Sequence, residues 1–198
     1  MISSNIHYQA PLITRQQREE AKKQKGCILL FTGLSGSGKS TLAYALDKAL
    51  LIKNKYSYVL DGDNTRQTLS PDLEFSAADR KEHLKRLSIL AYHFIDAGII
   101  TLISVIAPFE KDREKIKKIR GNQNYLEIYC CCTLEVCEKR DTKGLYKLAR
   151  ENKILNFTGI SSPYEIPKKP DLIIDTEQET TSDSIEKIIL LMKEKYFI

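Results

Sequence analysis

The residues Gly33, Leu34, Ser35, Gly36, Ser37, Gly38, Lys39 and Ser40 restrict this chain more than any other stretch. In order they satisfy the pattern G-x-x-x-x-G-K-[ST], and their context gives that pattern weight. Before them, Cys27–Thr32 (CILLFT) is a continuous apolar run, as a strand covered on both faces should be. After them, residues 40–52 place Leu42, Ala45, Leu46, Ala49 and Leu50 on one helical face. A glycine-rich turn at this junction aims backbone N–H groups inward. The helix N-terminus adds partial positive charge, and both favour phosphate. Lys39 is then expected to reach the β- and γ-phosphates of ATP, and the Ser40 hydroxyl to ligate Mg²⁺. Thr41 completes the expected ATP-binding set.

The rest of the chain repeats the strand–helix rhythm. Residues 56–60 read as a strand ending at Asp61, and 77–97 as a helix with Leu84, Leu87, Leu90, Ala91 and Phe94 at helical spacing. Then come a strand at 99–106, a charged helix at 110–120, a strand at 125–131, a short helix at 134–140, a strand at 172–174 and a helix at 182–195. This alternation predicts an α/β fold of the P-loop NTPase type, a parallel sheet with helices on both faces. Functional groups then belong at the carboxyl ends of the strands. Residues 1–25 read as a polar lead-in with a helix at 14–25, and 26–198 as one domain. Residues 140–170 mix Lys, Arg, Gly, Asn and Pro without periodicity, which suggests a lid.

Composition narrows the partners. The 198 residues fit one domain, and the charge of +5 suits a site for polyanionic nucleotides. No nucleic-acid module is visible, so no nucleic-acid partner is expected. No apolar run approaches the ~20 residues that span a bilayer, and residues 1–24 lack the apolar centre of a secretory signal. The expectation is a cytoplasmic protein away from membranes. Cys27, Cys130, Cys131, Cys132 and Cys137 show no metal-ligand spacing and read as reduced thiols.

Asp61-Gly62-Asp63-Asn64 follows the second strand directly. A carboxylate there can hold Mg²⁺, directly or through water, or accept a proton from a substrate hydroxyl. With two carboxylates so close, the residues leave the division of roles open. Arg66, Phe75, Arg80, His83 and Arg86 form a basic and aromatic cluster. Guanidinium groups suit phosphate or sulfate, and Phe75 suits a flat base. The same residues would also serve as a solvated helix face. A GTPase is disfavoured, because Asn54-Lys55 is followed by Tyr56-Ser57 and no N-K-x-D motif exists.

The stretches FTGLSGSGKST (31–41), LDGDNTR (60–66), ADRKEHLKR (78–86), KRDTKGLYKLAR (139–150) and NFTGISSPYE (156–165) together resemble the adenylyl-sulfate kinase family. The similarity runs in order from about Ser4 to Thr176. It implies transfer of a phosphoryl group from ATP, with Mg²⁺, to the 3′-hydroxyl of adenosine 5′-phosphosulfate. By that resemblance Lys39 and Asp61 are catalytic, Ser40 and Asp61 hold the metal, and Arg140 sits on the ATP side of the lid. Arg66, Phe75, Arg80 and His83 would contact the sulfonucleotide. Ile106, Ala107, Lys143, Asn156 and Phe157 complete that pocket, with Asp63 and Asn64. A homodimer is also implied. Two departures stand out. Ala107 replaces a serine that many members carry, so no phosphoenzyme can form there. His83 stands where the family pattern has Asn. Kinases for other small metabolites, and a nucleotide-binding module without turnover, are the competing readings.

Overall fold

The computed structural model describes residue 7, residues 9–118 and residues 122–198. Its centre is a sheet of strands β1 (Cys27–Thr32), β2 (Ser57–Asp61), β3 (Ile100–Ser104), β4 (Tyr125–Cys131) and β5 (Leu172–Asp175). Every pairing is parallel and the spatial order is β2-β3-β1-β4-β5. The predicted class therefore holds, and β1 is central, with a hydrogen-bonded neighbour on each side.

All six residues of β1 are buried, because alternate side chains enter two different cores. Cys27, Leu29 and Phe31 pack with Leu42, Leu46 and Leu50, and with Ile185, Ile188 and Met192. Ile28 and Leu30 pack on the other face with Leu84, Leu87, Ala91 and Ile95. Each fully buried Leu or Ile contributes roughly 1.5–3 kcal/mol by leaving water. The leading helix is α1 (Arg15–Lys22), followed after β1 by α2 (Lys39–Ile52). Then α3 (Gly62–Thr68) and α4 (Ala77–Asp96) precede β3, and α5 (Glu110–Lys118) follows it. Beyond β4 lie α6 (Leu134–Arg140) and α7 (Leu145–Arg150), and α8 (Thr181–Glu194) follows β5.

Several boundaries differ from the sequence reading for identifiable reasons. The first helix stops at Lys22, because Lys23 takes a left-handed φ of 49°. The lead-in is not loose at its end. Gln24 is buried, and its amide donates to the carbonyls of Tyr56 (2.8 Å) and Gly98 (2.9 Å) and accepts from the Tyr56 N–H (2.8 Å). Helix α3 has no predicted counterpart. Its start is written in a cap and not in apolar periodicity, since Asp61 Oδ1 accepts the N–H groups of Asp63 and Asn64. Helix α7, with six residues, is too short to show a period. Strand β3 ends at Ser104 and not at 106, where Ala107, at φ +42°, and Pro108 turn the chain away. The predicted helix at 110–120 is present as α5, and residues 119 and 120 lie outside the described residues, as do 1–6 and 8 of the lead-in.

Candidate active site

The carboxyl ends of β1, β2 and β3 converge beside the glycine-rich loop. Ser104, the last residue of β3, is in register with Phe31 on one side and Asp61 on the other. Ser40, one residue into α2, donates its hydroxyl to Asp61 Oδ2 at 2.6 Å. Its single proton is then used, so the Ser104 hydroxyl, 3.1 Å away, is the donor to Ser40. Asp61 is buried, and its other oxygen is held by the two N–H groups of the α3 cap. The carboxylate is thereby oriented on both sides.

Two of the loop glycines are closely packed. A Cβ at Gly33 would sit 2.5 Å from Ser37 Oγ and 2.6 Å from the Cys130 carbonyl. At Gly36, with φ +76°, it would meet the Cys137 carbonyl at 3.0 Å. Lys39 is 8% exposed and donates to the Leu34 carbonyl at 2.6 Å. Among the described residues no carboxylate pairs with it directly. Burial pulls its pKa below the ordinary lysine value, which nearby thiols and the Asp63 and Asp61 carboxylates only partly oppose. The Ser37 hydroxyl is buried without a partner among the described residues. A buried cation, an orphan hydroxyl and a helix N-terminus together fit a bound polyphosphate. Arg140, from α6, lies across the same loop, donating to Thr176 O (2.7 Å), Thr176 Oγ1 (3.3 Å) and Gly36 O (3.3 Å). Thr176 follows β5 and was not among the predicted residues.

A second group of side chains gathers beyond α3. Arg66 stacks its guanidinium 4.6 Å above the Phe75 ring and donates to Glu74 O at 2.8 Å. Arg80 donates to Phe75 O (2.9 Å), Thr158 Oγ1 (3.0 Å) and Asn156 O (2.9 Å), tying α4 to residues 156–158. Neither arginine forms an ion pair among the described residues. Burial lowers the pKa of both, and the Arg80 charge lowers that of Arg66 further. Asp63 lies within electrostatic reach of Lys39 and of Arg66. It forms an exposed ion pair with Lys143 of the segment between α6 and α7. Asn64 donates to the Tyr44 hydroxyl at 2.9 Å. The Ile106 carbonyl accepts the Thr32 hydroxyl at 2.6 Å, and Ala107 is buried.

The structure gives three of the expected residues partners of their own. Arg86 does not share the open anion site, because both its terminal nitrogens grip Asp72 (2.6 and 2.7 Å). His83 lies 3% exposed, with Nδ1 2.9 Å from Ser70 Oγ. Burial first, and Arg66 next, push its pKa down to about 4, so it is neutral near pH 7. Phe157, expected in the acceptor pocket, is largely enclosed. Its ring is 7% exposed and meets Tyr146 edge-on at 5.0 Å. These two rings join Cys132, Cys137 and Leu34 in a small third core. The Tyr146 hydroxyl donates to Ser35 O at 2.9 Å and so ties α7 to the loop. The thiols are free, as expected, and burial raises those of Cys130 and Cys137 to about 12. A groove of about 870 Å³ lies beside Leu34, between the end of β4 and residues 159–166, and none of Lys39, Asp61, Arg66 or Arg80 lines it.

A parallel sheet carrying a strand–glycine loop–helix, a buried lysine and a serine–aspartate pair defines a P-loop phosphotransferase. Its neighbouring arginines are chemically suited to an anion. The chain belongs to the adenylylsulphate kinase family, whose model matches residues 25–175. It is 49% identical to the adenylyl-sulfate kinase of Clostridium acetobutylicum, across 97% of this chain and 96% of that protein. It is also 49% identical to that of Prochlorococcus marinus, across 94% and 93%. Among solved structures it is similar to the Mycobacterium tuberculosis APS kinase in complex with AMPPNP and APS. That match has a TM-score of 0.82 and 42% identity, covering 86% of this chain and 99% of the other.

Proposed function

We propose that this chain transfers the γ-phosphoryl group of ATP to the 3′-hydroxyl of adenosine 5′-phosphosulfate, giving 3′-phosphoadenosine 5′-phosphosulfate and ADP. The observation that carries this reading is the pair Arg66 and Arg80. These are two mutually repelling guanidiniums without carboxylate partners among the described residues, Arg66 over the exposed ring of Phe75 and Arg80 on its backbone carbonyl. They match a phosphate–sulfate tail next to a flat base. The N–H groups of residues 33–39 and the Lys39 ammonium bind and orient the phosphates. Lys39 also offsets charge developing on the transferred group. Mg²⁺, when bound, would supply positive charge against the phosphates. It needs one or two protein oxygens, and Ser40 with Asp61, directly or through water, supplies them. In this reading Asp61 also accepts the proton of the 3′-hydroxyl, because Asp63 is paired with Lys143.

Residues 26–198 act in this reading as one domain, and 140–170 as its lid. Arg140 lies on the ATP side, and Lys143, Asn156 and Phe157 on the acceptor side. Closure excludes water, the competing acceptor. No helix among the described residues is long and apolar enough to cross a membrane. The family resemblance favours a cytoplasmic homodimer, which sedimentation would decide.

The test compares kcat/KM for adenosine 5′-phosphosulfate, AMP, other nucleoside monophosphates and shikimate-like alcohols. The sulfonucleotide is expected to be strongly preferred, and preference for any other acceptor overturns the assignment. Arg80→Ala is expected to raise acceptor KM by about 10- to 100-fold, a charged hydrogen bond being worth ~1.5–3 kcal/mol, and to leave the KM for ATP nearly unchanged.

A further inference from the structure

The loop between β3 and α5 presents three successive carbonyls, and each is held by a different part of the molecule. Ile106 O accepts the Thr32 hydroxyl, at the end of β1. Pro108 O accepts the N–H of Glu165 at 2.8 Å, from the far root of the lid segment. Between them, Ala107 O accepts Arg113 Nη1 at 2.9 Å. Ala107 is a residue with a side chain in the left-handed region, at φ +42°, and it is buried. That conformation is unfavourable for alanine and persists only where the surroundings hold it. Arg113 is 2% exposed, and its Nε lies 2.7 Å from Glu127 Oε1 on β4. A buried, always-charged side chain thus spans from the central sheet to one strained carbonyl.

We propose that Arg113 is a positioning residue for the acceptor: held by Glu127, it fixes the left-handed turn at Ala107 and so shapes the wall of the acceptor pocket. This rests on the reading of Ile106 and Ala107 as that wall. The role is specific in direction. The glycine-rich loop is held by its own glycines, by Tyr146 and by Arg140, and none of those contacts passes through Arg113. Loss of the Arg113 contact therefore acts on the acceptor and spares ATP. Glu127 is the second half of the device. Burial raises the pKa of its carboxyl, and the adjacent guanidinium opposes that rise.

The test uses the full chain with Arg113→Met and Glu127→Met together, so that neither charge is left buried by itself. Acceptor and ATP kinetics are measured, and then Ala107→Gly is added to the pair. The expected result is a fall of about tenfold or more in kcat/KM for the acceptor, with the KM for ATP within about twofold. Ala107→Gly is expected to recover at least about threefold of the loss, because glycine takes the left-handed turn without support. Equal losses for acceptor and ATP, no loss, or no recovery with glycine would overturn the proposal. If the double variant fails to fold, Arg113→Lys decides on the same ratios. Its ammonium keeps the charge beside Glu127 but lacks the fork that reaches Ala107 as well. Wild-type acceptor preference tests the underlying assignment separately. If another acceptor is preferred, the same ratios are taken with that acceptor, so the two failures remain distinct.

Discussion

Lys39 combines two demands that conflict in the free protein. It is a cation in a buried place, and its one hydrogen bond among the described residues is to a neutral carbonyl. Desolvation without a counter-charge costs stability. Lys39→Met is therefore expected to abolish turnover while leaving Tm unchanged or raised in the absence of nucleotide. Thermal melts with and without ATP check this, and a large Tm loss in the unliganded variant would contradict it. His83 makes an opposite kind of demand. Its pKa falls to about 4 in the folded chain, below the usual value of 6.5. The neutral ring's contribution is therefore fully present above about pH 6.5 and is lost as pH falls toward 4. His83→Asn removes that titration. Between pH 6.5 and 4.5 wild-type Tm is expected to drop more steeply than that of the variant, and parallel curves would show the ring to be freely hydrated.

At the scale of elements, Gln24 does what no strand does. It links the residue preceding β2 to the turn preceding β3 through three hydrogen bonds at the amino ends of the sheet. Gln24→Ala removes the side-chain partner of Gly98 O and of the Tyr56 N–H, at a cost of about 1–3 kcal/mol, and so lowers Tm by several degrees. Catalytic constants measured well below the transition are expected to stay near wild type, since the site lies at the opposite strand ends. A change in acceptor KM would refute that separation. Such contacts explain what could be read from the chain and what could not. The unit from Cys27 to Ile52 was legible because its signal is local: an apolar run, three glycines and a helical face within 26 residues. Helix α3 was not, because a single cap starts it. The sealing of His83 by Ser70 and of Phe157 by Tyr146 pairs side chains that only the packed fold brings together. Ser104 and Thr176 were findable in principle, since both lie at carboxyl strand ends in a fold that places its chemistry there.

Across the whole molecule, two large cores fix the sheet and a small third one fixes residues 140–170 to the glycine-rich loop. The third core is slight beside the others, so local opening belongs there first. In hydrogen exchange, amides of residues 145–150 are expected to exchange well before those of β1 in the free protein. Protection is expected to grow at 145–150, and not in β1, when ATP analogue and acceptor are both added. Equal protection with and without ligands would remove the lid role. The arrangement of the two ends has a further consequence. The Lys25 N–H donates to Phe197 O at 2.9 Å, and Arg15 of α1 donates to Gly26 O at 2.8 Å. The leading helix and the trailing residues thus meet where the strands begin, while the chemistry sits where they finish. An attachment made through the trailing residues, to a bead, a surface or a fused protein, would point the working mouth toward open solution.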